Sequence, residues 1–284
     1  PTPLLIGRFT HLTCNSTRFD IASAGLVTVD VPPTPTPEPP LIFPAAPKTG
    51  RSVSWCEGAS PWQICQMALQ DSQFQPAQPI TGALPFRGNV SAISWSPDGR
   101  RLTFSAGQVP NEAQYLFVIN GDGTDLKQIS SEAGFGPIWS PDGGWIAFIR
   151  GRGLWRMRPD GTETQVVVPD SDYGVASAAW SPDSQRLAYL AFRDGLARRL
   201  SVVNLDRTNL IVVYAFADSA QFDGGAVFWS ADGRYLVAGL VPRRSTTPQI
   251  LVLDAATRVE AARLKDVPYW WQVNFWPPWG GAVQ

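Results

Sequence analysis

A Trp-Ser-Pro-Asp tetrad recurs along this chain. It reads Trp95-Ser96-Pro97-Asp98-Gly99, then Trp139-Ser140-Pro141-Asp142-Gly143, then Trp180-Ser181-Pro182-Asp183-Ser184. Trp229-Ser230-Ala231-Asp232-Gly233 is a close variant, and Trp276-Pro277-Pro278-Trp279-Gly280 a degraded one. The tryptophans are 44, 41, 49 and 47 residues apart (139−95, 180−139, 229−180, 276−229). A period in the forties, with strand-forming residues on both sides, builds a β-propeller. Each copy is a small sheet that cannot bury its apolar faces alone, and stacking copies around an axis covers them.

The stretch from Asn89 to Ser130 shows one unit. Val90-Ser91-Ala92-Ile93-Ser94-Trp95 is short and apolar enough for a buried inner strand. Ser96-Pro97-Asp98-Gly99 is a turn: Pro presets φ, Asp bonds nearby backbone N–H groups and Gly tolerates positive φ. Arg101-Leu102-Thr103-Phe104-Ser105 alternates with period two, as a half-buried strand does. A loop of small and polar residues from Gly107 to Gln114 leads to a third strand, Tyr115-Leu116-Phe117-Val118-Ile119. Asn120-Gly121-Asp122-Gly123 is a hairpin signal. Leu126-Lys127-Gln128-Ile129-Ser130 is polar enough for an outer edge. Three further units keep this order, and no segment sustains a 3.6-residue apolar period, so almost no helix is expected.

These units resemble the repeats of TolB-like propellers, which carry Trp-Ser-Pro-Asp-Gly after the innermost strand. The resemblance covers about residues 41 to 281. It implies an all-β fold: a six-bladed β-propeller of four-stranded antiparallel blades. It speaks to fold more than to function, because such propellers serve as interaction scaffolds, sensor ectodomains and parts of enzymes.

A diverged copy precedes the clear ones. Leu41-Ile42-Phe43 reads as its first strand, Arg51–Trp55 as its second, Trp62–Met67 as its third and Gln78–Thr81 as its fourth. The strand ending at Trp276 opens a further blade with eight residues left after it. Three apolar stretches, Leu4–Phe9, Phe19–Ala22 and Leu26–Val31, are expected to join that strand in a composite sixth blade, which removes two exposed sheet edges. The alternative is five blades, with residues 1–31 outside the ring. The whole chain, residues 1–284, is then one propeller domain: 1–31 closing the ring, 32–40 a proline-rich linker, 41–284 the repeats. Pro32 to Pro40 should be extended polyproline.

The 284 residues are 44% hydrophobic and 17% charged, with net charge −1. Such a chain is globular and is not a general binder of nucleic acid. No run of 18 apolar residues offers a membrane span. Cys56 and Cys65 flank a predicted hairpin loop. A bridge between them would imply an oxidising compartment; the alternative is two small buried residues. Cys14 is left over.

Signals of chemistry are sparse. His11 is the sole histidine. A Ser-His-Asp triad would have to use it, and no Gly-x-Ser-x-Gly elbow supplies a nucleophile. Zinc-ligand clusters and phosphate-binding loops are absent from the sequence. Asp98, Asp142, Asp183 and Asp232 fall one per blade, so each is expected to serve its own turn rather than a shared Ca²⁺ site. The expectation is a non-enzymatic chain without cofactor.

Links between blades, together with the loops between second and third strands, lie on the face opposite the tetrad turns and are the expected recognition surface. Its candidate ligand-binding residues are Phe86, Arg87, Phe135, Asp172, Tyr173, Asp223, Trp270 and Trp271. Aromatic and Arg side chains dominate interface energetics, although Trp270 and Trp271 also suit packing between blades. The expected role is a bacterial, extracytoplasmic, monomeric scaffold or sensor ectodomain that binds a protein or peptide. The alternative is a carbohydrate-binding or carbohydrate-active propeller using loop carboxylates and aromatics.

Overall fold

The computed structural model describes residues 3–15, 18–30, 50–55, 63–70, 73–74, 78–86, 90–108, 111–206, 208, 210–217, 222–230, 232–242 and 249–264. Among these residues every regular element is a strand. Strands β1 (Pro3–Asn15) and β2 (Arg18–Asp30) form a two-stranded hairpin. Sheet 1 holds β3 (Gly50–Trp55), β4 (Ile64–Gln70), β5 (Gln73–Phe74) and β6 (Gln78–Pro79), with β4 pairing to all three others. Sheet 2 holds β7 (Val90–Trp95), β8 (Arg101–Gln108), β9 (Asn111–Asn120) and β10 (Lys127–Gln128). Sheet 3 holds β11 (Phe135–Trp139), β12 (Ile146–Arg150), β13 (Gly153–Met157) and β14 (Gln165–Val168). Sheet 4 holds β15 (Gly174–Trp180), β16 (Arg186–Arg193), β17 (Leu196–Asn204) and β18 (Ile211–Ala215). Sheet 5 holds β19 (Phe222–Trp229), β20 (Tyr235–Pro242), β21 (Gln249–Asp254) and β22 (Glu260–Leu264). Sheets 2 to 5 are antiparallel meanders in chain order, as the repeat requires.

Two expectations change. The three short strands read between residues 4 and 31 are two strands of 13 residues, paired with each other. The small residues Ser23 to Gly25 are absorbed where the register shifts between Arg8 and Thr10. In sheet 1, β3, β4 and β6 take the second, third and fourth positions, and β5 is an added short strand beside Leu69 and Gln70. The proposed first strand Leu41–Phe43, the linker Pro32–Pro40 and the closing strand at Trp276 lie outside the described residues.

The core lies between sheets. Ile64, Leu84 and Phe86 of sheet 1 and its link pack on Leu102, Phe104, Phe117 and Ile119 of sheet 2. Leu116 and Val118 of β9 point the other way, onto Trp139, Ile146, Phe148 and Met157 of sheet 3. Ala147, Ile149 and Leu154 meet Trp180, Leu187 and Tyr189 of sheet 4. Ala188, Leu190 and Leu200 meet Val227, Trp229, Leu236 and Leu251 of sheet 5. Alternate residues of one strand thus feed alternate seams, which is the period-two pleat used twice. The repeated tryptophans are packing residues: Trp139, Trp180 and Trp229 are buried, and the Trp180 indole N–H donates to the Ile138 carbonyl at 3.1 Å.

The tetrad turns are closed units. Ser96 Oγ donates to Asp98 Oδ1 at 2.5 Å and accepts from the Arg101 N–H at 2.9 Å, while the Arg100 N–H donates to Asp98 Oδ1 at 3.1 Å. The same bonds recur around Ser140 and Asp142, Ser181 and Asp183, and Ser230 and Asp232. A second turn family joins third to fourth strands. Thr124, Thr162 and Thr208 each donate a hydroxyl and a backbone N–H to Asp122, Asp160 and Asp206. The two families share one end of the sheets: Gly121 N–H reaches the Arg100 carbonyl at 2.7 Å, and Ala255 N–H the Arg234 carbonyl at 2.8 Å.

Candidate functional site

The opposite end carries the links between sheets and the turns between second and third strands. Its best-built part is the link from Pro169 to Tyr173, between sheets 3 and 4. Facing it is the turn Gly151-Arg152-Gly153. Gly151 has φ +58, in the left-handed region that favours glycine. A Cβ on Gly151 would stand 2.9 Å from Asp170 Oδ2, and one on Gly153 would stand 2.8 Å from Asp170 Oδ1. The two glycines therefore leave room for the Asp170 carboxylate, which accepts the Arg152 N–H at 3.2 Å. The Arg152 guanidinium donates through Nη2 to the Asp172 carbonyl, and the Arg152 carbonyl accepts the Val175 N–H at 2.9 Å.

Sheet 4 holds the other end of the link. Arg199 of β17 donates to the Tyr173 hydroxyl at 3.1 Å, with its guanidinium carbon 4.1 Å from the ring centroid. Arg193 lies 5.7 Å from the same ring and 3.7 Å from Asp194. Its basicity is raised, first by the contact with the Tyr173 hydroxyl and then by the nearby acidic groups.

Beside this link is an open groove of about 360 Å³, lined by Gln114, Ala133, Gly134, Phe135 and Gly151. Phe135 is 42% exposed. Glu132, just before the groove, pairs with Arg150 at 3.4 Å, and Arg150 lies 4.5 Å over the Trp155 ring. Among the described residues the groove therefore offers one exposed aromatic, Phe135, among small residues, bordered by the cations and carboxylates just named.

The sequence-derived candidates divide as follows. Phe135, Asp172 and Tyr173 come to one face and adjacent links. Phe86 does not: it is 1% exposed, with ring centroids 4.5 Å from Phe117 and 5.8 Å from Phe104. Its link turns inward and fills the seam between sheets 1 and 2. Asp223 falls in β19, where the register shifts between Phe222 and Gly224, rather than in a free loop. Arg87, Trp270, Trp271 and Cys56 lie outside the described residues. Cys65 stands opposite Ser54 and Pro79 in sheet 1. Sequence reasoning missed Arg152 and Arg199. The available signal was an Arg framed by two glycines between two strands.

The turn face is chemically quiet. Burial pushes the Asp98 and Asp183 carboxyls up, but bonds from the serine hydroxyl and backbone N–H, with nearby Arg charge, outweigh it and hold both below the usual range. Asp122, Asp160 and Asp206 are held low by the threonine hydroxyl and N–H of their turns. Each of these carboxylates is used within its own turn.

Comparison with solved structures decides the fold. TolB from Acinetobacter baumannii superposes with a TM-score of 0.58 at 15% identity, covering 76% of this chain and 51% of that one. The fold is that of a TolB-like propeller. A chain of the Nidogen/Laminin Complex matches at TM-score 0.54 and 10% identity, over 76% of this propeller and 93% of that chain. Puromycin hydrolase matches at TM-score 0.54 and 16% identity, over 86% of this propeller and 40% of that chain. No protein-family model matches. The uncharacterized protein Atu1656 of Agrobacterium fabrum is 27% identical over 173 residues, 55% of this chain and 57% of that protein. The uncharacterized peptidase YuxL of Bacillus subtilis is 28% identical over 110 residues, 35% of this chain and 17% of that protein. The propeller thus spans less than two thirds of either relative.

These matches correct one expectation. The chain was expected to be non-enzymatic because it has one histidine and no nucleophile motif. Similarity to a protein named a peptidase, and a fold shared with puromycin hydrolase, overturn that exclusion. The exclusion weighed only groups within the propeller, whereas the propeller matches 17% and 40% of those two proteins. Reactive groups in such proteins are not required to lie in this ring. Among the described residues no helix is long and apolar enough to cross a membrane.

Proposed function

We propose that this TolB-like propeller is a bacterial, extracytoplasmic module that binds a protein or peptide on its loop face. The observation that carries this reading is Phe135, a large aromatic left 42% exposed in a groove beside a link fixed from two sheets. Exposed aromatics on rigid supports are the usual anchors of protein interfaces. The fold shared with a chain of the Nidogen/Laminin Complex, a protein assembly, supports it. The test is site-specific photocrosslinking in the native host. A photoreactive residue at Phe135 or Asp172 should capture a defined partner, and one at Val259 on the turn face should not. Equal capture from both faces, or none from the loop face, sinks the proposal.

The ring itself is proposed to be one domain closed by a composite sixth blade. Tyr235, Val237, Ile250 and Val252 project from sheet 5 away from its seam with sheet 4, yet are 5%, 3%, 0% and 0% exposed. That burial supports a further layer on this side. Deleting residues 1–31 should abolish folding in the six-bladed arrangement and spare it in the five-bladed one.

A second reading rests on the similarity to YuxL and on the fold shared with puromycin hydrolase. In it the propeller admits and orients peptides for a hydrolase whose reactive groups lie beyond these residues. The full-length product should then release p-nitroaniline from aminoacyl anilides and take a fluorophosphonate label. Failure of both would remove this reading.

A further inference from the structure

We infer that the link Asp170–Tyr173 is a pre-ordered recognition element and that Arg152 is the positioning residue that holds it; this rests on the loop-face reading above. The turn Gly151-Arg152-Gly153 grips the link twice. Its backbone N–H takes the Asp170 carboxylate at 3.2 Å, and its guanidinium takes the Asp172 carbonyl. The carboxylate lies close against two glycines: a Cβ on residue 151 or 153 would stand within 3 Å of an Asp170 oxygen, and one on residue 153 also within 3 Å of the Val168 carbonyl oxygen. From the neighbouring sheet Arg199 fixes Tyr173 through its hydroxyl and its ring. A loop anchored at both ends from two different sheets has already lost the freedom that binding would otherwise remove, so a partner meets it in its bound shape. The Asp172 carboxylate stays exposed, because Arg152 uses the backbone of that residue and not its side chain.

This division of labour gives a distinctive substitution pattern. Arg152→Ala removes the guanidinium hold on the Asp172 carbonyl, and Asp170→Ala removes the carboxylate hold on the Arg152 N–H, so each takes away one of the two grips. Asp170→Asn keeps an oxygen acceptor for the Arg152 N–H and should rescue it. Asp172→Ala leaves the gripped carbonyl in place. The experiment is hydrogen–deuterium exchange of the 284-residue chain, paired with photocrosslinking from position 135. Exchange across residues 170–175 should rise tenfold or more in R152A and D170A, and stay near wild type in D170N and D172A. Peptides from β16 should be unchanged in all four. Partner capture should fall at least fivefold in R152A and D170A and recover in D170N. Unchanged exchange in R152A overturns the inference. So does raised exchange with undiminished capture, which would leave the loop face as the binding site but make the link irrelevant to it. Absence of capture by the wild-type chain would instead strike the loop-face reading, while the exchange pattern would still report whether the brace exists.

Discussion

The two ends of the sheets solve the same problem in different ways. Both consist of chain reversals whose backbone groups need partners. On the turn face each reversal closes on itself, with Ser96 and Asp98 or Asp122 and Thr124 satisfying N–H groups two to five residues away. On the loop face the partners are distant: Arg152 reaches Asp172 across 20 residues, and Arg199 reaches Tyr173 across 26. Local closure makes a turn that any blade can copy. Distant closure makes a feature that occurs once, and such unrepeated structure is where a scaffold of copies can acquire a specific partner.

The largest expected effect breaks the turn face. Gly161 has φ +90, and a Cβ there would overlap the Ile129 carbonyl oxygen. Gly161→Ala should cost about 3 kcal/mol, from left-handed strain plus backbone displacement, and chemical denaturation will show it. Ser140→Ala comes next. It strands the Trp145 N–H, now bonded to Ser140 Oγ at 2.9 Å, and should cost about 2 kcal/mol.

The loop face should respond in the opposite sense. Phe135→Ala should cost no more than about 1 kcal/mol, because the residue is 42% exposed, yet lower partner capture about tenfold. Comparable losses of stability in Phe135→Ala and Ser140→Ala would erase the contrast between the ends.

Acid should act through the turn face. The folded Asp98 and Asp183 values are lowered, so their contribution is complete above the unfolded value of about 3.9 and is lost as pH falls through the lower folded value. Screening keeps each below about 1 kcal/mol. Asp98→Asn with Asp183→Asn should therefore lower the melting temperature at pH 7 and flatten its decline below pH 4 relative to wild type. The smallest effect is Ser184→Gly. It relieves φ +58 but removes the acceptor of the Asp142 N–H at 3.0 Å, so stability should move by less than about 0.5 kcal/mol. A larger loss would show that this contact between turns outweighs the strain.

What the sequence made legible follows from this contrast. The tetrad repeats, and its bonds span at most five residues, so Trp95 to Arg101 could be read as a strand, turn and strand without knowing the rest. The brace was hidden because its two halves share no motif, and because a bond to a backbone carbonyl leaves no trace in the identity of residue 172. Phe86 was misplaced for a related reason. A residue in a link was taken as exposed, whereas apolar area outweighs position in a connection, and Leu84 and Phe86 turn into the core. The N-terminal hairpin was read as separate apolar stretches, Phe19–Ala22 and Leu26–Val31, although the strand continues between them where the register shifts.

The sharing of each strand between two seams has a consequence for how the chain avoids mispairing. Phe117 and Val118 are neighbours in sequence but belong to different cores. Sliding β9 by one residue would swap the side chains offered to both adjacent sheets, so the error would be punished on its left and on its right. A face-to-face stack of this kind proofreads alignment twice, and a mistake in any one sheet is felt by its neighbours before the stack is complete.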